Sequence, residues 1–513
     1  MASPLYTGVD WDFTLLDDVY NECEKIALDE LNLNIYPNQL EVISSEQMLD
    51  AYASSGLPIY YRHWSFGKHF SAEEQNYRKG YTGLAYEIVI NSNPCINYLM
   101  EENTITTQTT VIAHAAFGHN HFFKNNYLFR QWTDASHIID YLVFAKNYIA
   151  DCEEKYGHDV VERVLDSCHA LSRHGVSKYK RPKKLNVYEE KERLEERRTY
   201  MRQVYNDLWR TLPKTKKQKE KKKEVAFSDD DGNTKISEEN LLYFLEKNSP
   251  ILEDWQRELV RIVRKISQYF YPQYQTKVMN EGWATFSHFY IMNRLHDKGL
   301  LTDGAMLEFF HTHSGVLYQP TFDKRGYSGF NPYHLGFEMF RDIKRICEDP
   351  TDEDKEWFPD FAGSNWLETC LHAVENFRDE SFIGQFLSPT MIRKMKLFTL
   401  NNNTKNEHYI VKDIHDNRGY KNIRQALANM YNVSNMIPDI EVAEADFTSS
   451  RALTLRHNAI NGKSLTKDAQ EVLKHVKRLW GYQVKLLSVD DRDPDGSVIL
   501  TTYETDKSPQ LEI

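Results

Sequence analysis

The chain has 513 residues, a formal net charge of -12 and six scattered cysteines without a CxxC pair. This length exceeds the size at which one hydrophobic core stops growing, so it predicts at least two domains that fold without disulfide bonds, as in a reducing cytoplasm. The acidic balance argues against nucleic acid as a main partner, because phosphate binding needs a concentrated basic surface. The amino terminus lacks the basic start of a signal peptide, and no apolar run approaches the length of a membrane span, so we expect a cytoplasmic protein.

Helical periodicity dominates most of the chain. Apolar residues three and four positions apart lie on one face between Leu15 and Ile26, and again between Leu335 and Ile346, where Asn331-Pro332 is typical of a helix start. The longest such face consists of Ile138, Leu142, Ala145, Ile149 and Cys152. These patterns predict a mainly α fold with a large helical domain at residues 1–177 and 246–433.

Charged sequence interrupts this helical core between residues 178 and 245. Lys214 to Lys223 contains seven lysines and is soon followed by Asp229, Asp230 and Asp231. Such a run repels itself and cannot bury apolar area, which is typical of a solvated, disordered linker. We therefore interpret residues 178–245 as a charged, partly disordered insert, with a docking site for an anionic partner as the alternative.

The pattern changes again in the last part of the chain, at residues 434–513. Alternating residues near Ala452 precede a helical stretch from about Thr466 to Trp480, which Gly481 ends. Two further strand-like runs flank Asp495-Gly496 and indicate a hairpin. The sequence thus predicts a small α/β module at the carboxy terminus. No glycine-rich phosphate loop occurs, so no nucleotide is expected.

The first group of residues suited to chemistry is a histidine cluster. His114, His119 and His121 lie within eight residues, directly after an apolar stretch. Neutral imidazole is the commonest metal ligand in proteins. If Gly118 ends or bends the helix, His119 can turn back toward His114, as a mononuclear site requires.

A second group combines a glutamate with more histidines. Glu281 and His288 lie on one face of a helix that is predicted to run to about Asp297, and they are two turns apart. Glu281 could therefore be a metal ligand, while His288 would lie behind it. His311 and His313 follow. We expect His114, His119, Glu281 and His313 to bind a divalent metal ion, zinc first.

The two groups together are similar to zinc peptidases that place HExxH on one helix and a glutamate on a later one. Two departures stand against this similarity: Ala115 occupies the position of the usual general base, and His119 comes five residues after His114 rather than four. A hydrolase would therefore need another carboxylate as base, for example Glu338 or Glu375.

Longer blocks of the chain carry a resemblance to a known family. They are Tyr61 to Lys68, Gly83 to Ile88, His114 to Phe129, Asp140 to Leu142, Met279 to Thr285, Asn331 to Tyr333, Trp357 to Asp360 and Asp379 to Phe382. In these blocks the sequence closely resembles the SpoVR family, named for stage V sporulation protein R. The resemblance implies a cytoplasmic protein linked to spore cortex or cell-envelope formation in sporulating bacteria, and to stress responses elsewhere. It implies no assigned reaction.

Three interpretations follow from the sequence. The leading one is a regulatory or accessory protein with a metal-stabilised helical core and a carboxy-terminal module that contacts a protein partner. The second is a metal-dependent hydrolase acting on a peptide or an envelope precursor. The third is a structural protein without a metal, in which the histidines are hydrogen-bonded core residues.

Overall fold

A computed structural model describes the helical body and the carboxy-terminal module. The described residues are 3–53, 60–61, 63–64, 87–179, 233–320, 329–398, 400–401, 410–411, 414, 416–490 and 498–508. The lysine run at 214–223, and most of the predicted insert around it, lie outside these residues. Within them, no helix combines the length and the apolar character that crossing a membrane requires.

α-Helices make up most of the described chain, which confirms the predicted mainly α fold. They are α1 (Phe13–Asp29), α2 (Ser45–Ala53), α3 (Ile105–Ile112), α4 (Asn120–Asn125), α5 (Tyr127–Trp132), α6 (Ile138–Tyr156), α7 (His158–Ala170), α8 (Leu241–Asn248), α9 (Asp254–Gln275), α10 (Lys277–Asp297), α11 (Asp303–Val316), α12 (Pro332–Glu348), α13 (Asp352–Trp357), α14 (Trp366–Asn376), α15 (Asp379–Phe386), α16 (Pro389–Lys394), α17 (Asn417–Met430), α18 (Val433–Met436) and α19 (Ala469–Trp480).

The apolar faces read from the sequence are the faces that the helices bury. All five residues of the predicted face on α6 are buried. Leu335, Met339, Ile343 and Ile346 of α12 are fully buried, and the Asn331 side chain accepts a hydrogen bond from the Tyr333 N–H, which caps the helix at the predicted position. Periodicity therefore identified the helices and their orientation toward the core.

The apolar residues form two cores. One core joins α1, α3, α10 to α12 and α14 to α16 around Trp283 and Phe340. The other joins a small amino-terminal sheet, α6 to α9 and the carboxy-terminal module around Leu259 and Trp480. The presence of two cores agrees with the expectation that a chain of this length exceeds the size of a single hydrophobic core.

The amino-terminal sheet has the strand order β1-β3-β2, with β1 at Asn38–Ile43, β2 at Glu87–Ile90 and β3 at Cys95–Met100. β1 pairs parallel with β3, and β2 pairs antiparallel with it. The sheet lies beside the segment that follows α3. It therefore brings Glu87, the first residue of β2, next to the histidine cluster.

The short strands β5 (Leu400–Asn401) and β6 (Ile410–Val411) pair with each other, and the carboxy-terminal module is built around a five-stranded sheet with the order β10-β9-β8-β7-β4, in which β4 is Asn233–Glu238. β7 (Asp439–Asp446), β8 (Leu453–Ala459), β9 (Val484–Asp490) and β10 (Ile499–Glu504) come from the predicted module. β9 and β10 pair antiparallel, as predicted, and Asp495-Gly496 between them lies outside the described residues. Gly481 ends α19 with a φ of 91°, a left-handed conformation that favours glycine. The predicted α/β module is present.

The end of the predicted insert belongs to the folded body, which corrects its boundary. β4 (Asn233–Glu238) pairs with β7, and α8 buries Leu242 and Leu245 completely. Leu241–Asn248 begins with five consecutive apolar or aromatic residues, which indicate a buried segment in spite of the charged sequence before it. The fifth strand of the carboxy-terminal sheet thus comes from a segment far away in the sequence.

Candidate metal centre

A wide helical turn places His114 and His119 side by side. Residues Ala113–His119 form a π-helical turn between α3 and α4, in which the Asn120 N–H donates to the Ala115 carbonyl five residues back. In an α-helix, residues five apart point about 140° away from each other. The wider turn removes that offset, and the ring centroids of His114 and His119 lie 4.6 Å apart.

This geometry corrects one expectation from the sequence. Gly118 neither ends nor bends the helix, since the chain continues through it into α4. Its role is to allow close packing: a Cβ at this position would lie 2.6 Å from the Cα of Ala284 on α10. The histidine segment and α10 therefore touch at the level of their backbones.

A second close approach fixes α10 against α12. A Cβ on Gly282 would lie 2.4 Å from the Cα of Gly336, and a Cβ on Gly336 would lie 2.1 Å from the Val278 carbonyl oxygen. Both glycines are needed for space, because any side chain there would overlap backbone atoms. Glu281, next to Gly282, is thereby held at the junction of the two contacts.

The start of α10 is held by a buried carboxylate. Asp379 is 1% exposed and accepts hydrogen bonds from the N–H groups of Val278 and Met279, each at 2.9 Å. These two N–H groups belong to the first turn, where a helix has no internal acceptors. Asp379 thus anchors the turn that precedes Glu281.

We expect Asp379→Ala to destabilise the protein by about 2–4 kcal/mol, because it leaves two buried N–H groups without acceptors. Asp352→Ala is the matched control, since Asp352 lies in the first turn of α13 but is fully exposed at its side chain and should change stability by less than about 0.5 kcal/mol. Chemical denaturation measures both. Equal effects of the two substitutions would contradict the anchoring role.

Four side chains meet at the centre of this arrangement. His114 and His119 come from the π-helical turn, Glu87 from β2 and Glu281 from α10. The His114 Nε2 lies 3.4 Å from Glu87 Oε1 and 3.8 Å from Glu281 Oε2, and the His119 Nε2 lies 3.5 Å from the same Glu281 oxygen. Ligand atoms held about 2.0–2.1 Å from one ion in a tetrahedron are about 3.3–3.4 Å apart. These three distances are close to that spacing, and one ligand atom each of Glu87, His114 and His119 all lie within 4.8 Å of one another, as a single-ion site requires.

The hydrogen bonds of His119 define which nitrogen faces the carboxylates. Its Nδ1 lies 2.9 Å from Asn280 Oδ1, an atom that can only accept, so Nδ1 carries the proton and Nε2 presents a lone pair to Glu281. Burial lowers the pKa of His119 to about 4, which keeps the ring neutral at pH 7. A lone pair and a carboxylate oxygen thus face each other at 3.5 Å with no proton between them, so both could donate to a cation placed beside them.

The two carboxylates are incompletely paired within the protein. Among the residues that the structure describes, Glu87 Oε2 and Glu281 Oε2 are buried oxygens without a hydrogen-bond partner. Burial raises the pKa of Glu87 to about 7, although His114 opposes the shift. Burial also acts to raise the pKa of Glu281, but the neighbouring imidazoles of His114 and His119, together with Tyr333, lower it on balance. Unpaired buried oxygens are costly, and metal binding is one way to compensate them.

A chain of histidines extends away from the centre. His114 Nδ1 lies 2.9 Å from His288 Nδ1, and His288 Nε2 lies 2.9 Å from His313 Nδ1. His288 thus lies behind His114, whereas the sequence placed it behind Glu281. His313 is separated from the two carboxylates by His288 and His114, so the structure does not bring this predicted ligand to the centre.

The other residues considered from the sequence lie elsewhere. His121 Nδ1 accepts a hydrogen bond from the Asn34 N–H and faces away from the carboxylates. Glu338 pairs with Lys394 at 2.5 Å. Among the described residues, no hydrogen bond or ion pair joins Glu338 or Glu375 to the cluster. The carboxylate beside the histidines that sequence reasoning missed is Glu87, whose only signal was its place in the Gly83 to Ile88 block.

Comparison with known proteins assigns the chain to a family. The model of the family described as SpoVR like protein matches residues 10–436, and that of the SpoVR-like C-terminal domain matches residues 438–491. An uncharacterized protein of Escherichia coli strain K12, YcgB, is 54% identical over 496 residues, which cover 97% of this chain and 95% of the relative. No solved structure matches the chain. The resemblance seen in the sequence is thereby confirmed, and the chain belongs to the SpoVR family.

Proposed function

We propose that this SpoVR protein binds one divalent metal ion, with zinc as the expected ion, through His114, His119 and Glu281, and with Glu87 as the fourth group. Two imidazoles and carboxylate oxygens form a donor set that suits zinc. The observation that carries the proposal is the approach of Glu87 Oε1 and Glu281 Oε2 to two imidazole nitrogens, at 3.4 and 3.5 Å, in a buried cluster where each carboxylate has one oxygen without a hydrogen-bond partner among the described residues.

The surroundings of the cluster support this assignment. Asn280 orients the ring of His119, and His288 orients the ring of His114. Metal-binding histidines commonly use their second nitrogen in this way, since the hydrogen bond fixes the tautomer and the direction of the lone pair. His313 then supports His288, which gives it an indirect part in the site instead of the direct one expected from the sequence.

The role that we propose for the centre is accessory. A fourth protein group completes a tetrahedron, and closed sites of this kind stabilise folds. The ion would join the histidine turn, β2 and α10, which belong to both cores of the chain. We therefore propose an accessory or regulatory protein with a metal-stabilised body and a protein partner. The link to cortex or envelope formation and to stress responses, and the cytoplasmic location, stay expectations from the family resemblance.

One observation favours metal-dependent hydrolysis as a second candidate function. Glu87 lies at the edge of the centre, with its Oε1 3.4 Å from His114 Nε2, where a carboxylate can act as a general base. About a fifth of the side chains of Glu87 and Glu281 is exposed, compared with less than a tenth for either histidine. A bound metal ion would supply Lewis acidity, and Glu87 would accept a proton in place of the base that Ala115 cannot provide.

The substitution Glu87→Gln separates the two functions, because it keeps the shape of the side chain but removes its charge and basicity. The accessory role predicts zinc affinity at least about tenfold weaker, with stability lowered in parallel, because a coordinating group is lost. Zinc titration by calorimetry and rescue of a deletion strain are the measurements. Full zinc affinity with complete loss of rescue would instead support hydrolysis with Glu87 as the base. Glu338→Gln is the matched control and should leave zinc affinity unchanged.

A further inference from the structure

A cavity of about 340 Å³ lies between the carboxy-terminal module and the helical body, in a different part of the chain from the metal centre. Its walls come from the inner face of β8 and β9, from α19, from the segment before β7, and from the helical body through Leu171 and Leu241. This volume falls within the range of small-molecule sites, which is about 300–1,000 Å³.

Most of the wall is apolar. Leu455 and Leu486 on the sheet and Leu473 and Val476 on α19 are buried residues that line the space. Apolar walls favour an apolar body, because each methylene group transferred from water gains about 0.8 kcal/mol. The cavity would therefore accept a hydrocarbon or aromatic group.

One end of the wall carries two imidazoles. His457 points inward from β8 and is 3% exposed, and its Nδ1 lies 2.8 Å from Ser488 Oγ on β9. His174 comes from the short turn Ser172–His174 of the helical body and also lines the cavity. Among the described residues, neither His457 Nε2 nor the ring of His174 has a hydrogen-bond partner. Burial lowers the pKa of both rings, so both are neutral at pH 7.

The charged residues that line the cavity are either paired or exposed at its rim. Asp439 lines the cavity, but one of its oxygens pairs with Lys178 at 2.8 Å and the other accepts from Asn458 at 2.8 Å. Lys463, at the rim, donates to the Asn435 carbonyl. Asp468 also lines the cavity and accepts a hydrogen bond from Thr466 Oγ1 at 3.2 Å. Lys463 and Asp468 are both exposed to solvent, so a charge on a ligand would compete with water there, whereas an uncharged polar atom at the buried end could bond to an imidazole.

From this combination we infer that the cavity is a binding site for a small, mostly apolar molecule with one uncharged polar head, such as a hydroxyl or carbonyl group, which hydrogen-bonds to His457 and His174. The site contains residues of both the helical body and the carboxy-terminal module. Its occupation would therefore strengthen the contact between them.

A series of straight-chain alcohols tests the inference on the full-length protein. Affinity measured by calorimetry should rise about fourfold per added methylene from 1-butanol to 1-hexanol and 1-octanol, and 1-octanol should raise the melting temperature. Octanoate and octylammonium should bind at least tenfold more weakly than 1-octanol. No binding of 1-octanol, or tighter binding of either ion, would overturn the inference.

Two substitutions locate the binding. Ala469→Phe adds a ring to a residue that lines the cavity and should abolish 1-octanol binding. His457→Phe should weaken it about fivefold by removing one hydrogen bond. The matched control is His475→Phe on α19, since His475 bonds to Ser167 and does not line the cavity. Unchanged 1-octanol affinity in both cavity variants would overturn the inference. Two variants are used so that, if one folds poorly, the other still shows whether 1-octanol binds in the cavity.

Discussion

Replacing His119 by alanine should remove the bound metal ion and lower the melting temperature of the protein together. His119 Nε2 faces Glu281 with a lone pair, and its loss leaves that carboxylate without its nearest nitrogen. An ion that is present at about a thousand times its Kd stabilises the folded state by about 4 kcal/mol, so losing it should lower the melting temperature by several degrees.

The matched control is His121→Ala, only two residues away. His121 is buried like His119, but its ring bonds to the Asn34 backbone and not to a carboxylate. This variant should lose stability through packing yet keep the ion. Metal content is measured after dialysis against a weak chelator, beside the melting temperature. If both variants retain metal equally, or both lose it, the assignment of His119 as a ligand is contradicted.

Gly336→Ala should be strongly destabilising, with a cost of about 3 kcal/mol or more. The added methyl group would lie 2.1 Å from the Val278 carbonyl oxygen, a backbone atom that cannot move without separating α12 from α10. Glu281 lies one turn beyond Val278, so the same shift should weaken metal binding.

Gly315→Ala on α11 provides the comparison. A Cβ there meets nothing within 4 Å, and alanine is the better helix former by about 1 kcal/mol. This variant should be as stable as the natural protein or slightly more so. Denaturant titration of both variants gives the difference, and similar stability of the two would show that the helices do not depend on this contact.

The sequence predicted much of the fold because periodicity reports local structure directly. The buried face of α6 was predicted residue by residue, and α12 begins at the predicted cap. The helix of the carboxy-terminal module ends at the predicted glycine. In each case the signal lies within one turn or one helix, where spacing alone determines which side chains share a face.

The candidate site was predicted only in part, for two physical reasons. In a regular α-helix, His114 and His119 would lie on different sides. No residue type in the sequence indicates the π-helical turn that brings them together. Glu87 comes from a strand whose position depends on how the small sheet packs against the helices. Such tertiary contacts leave no periodic signal in the sequence. His313 was predicted as a ligand because it follows Glu281 in the sequence, and its distance from the carboxylates depends on tertiary contacts in the same way.

The central claim is that the cluster of Glu87, His114, His119 and Glu281 holds a metal ion, and elemental analysis of the full-length protein purified without an affinity tag tests it most directly. We expect one equivalent of a divalent metal ion per chain in the natural protein, with zinc as the expected ion, and almost none in His119→Ala. A natural protein that is folded and free of metal, and that takes up no zinc when the ion is added, would contradict it.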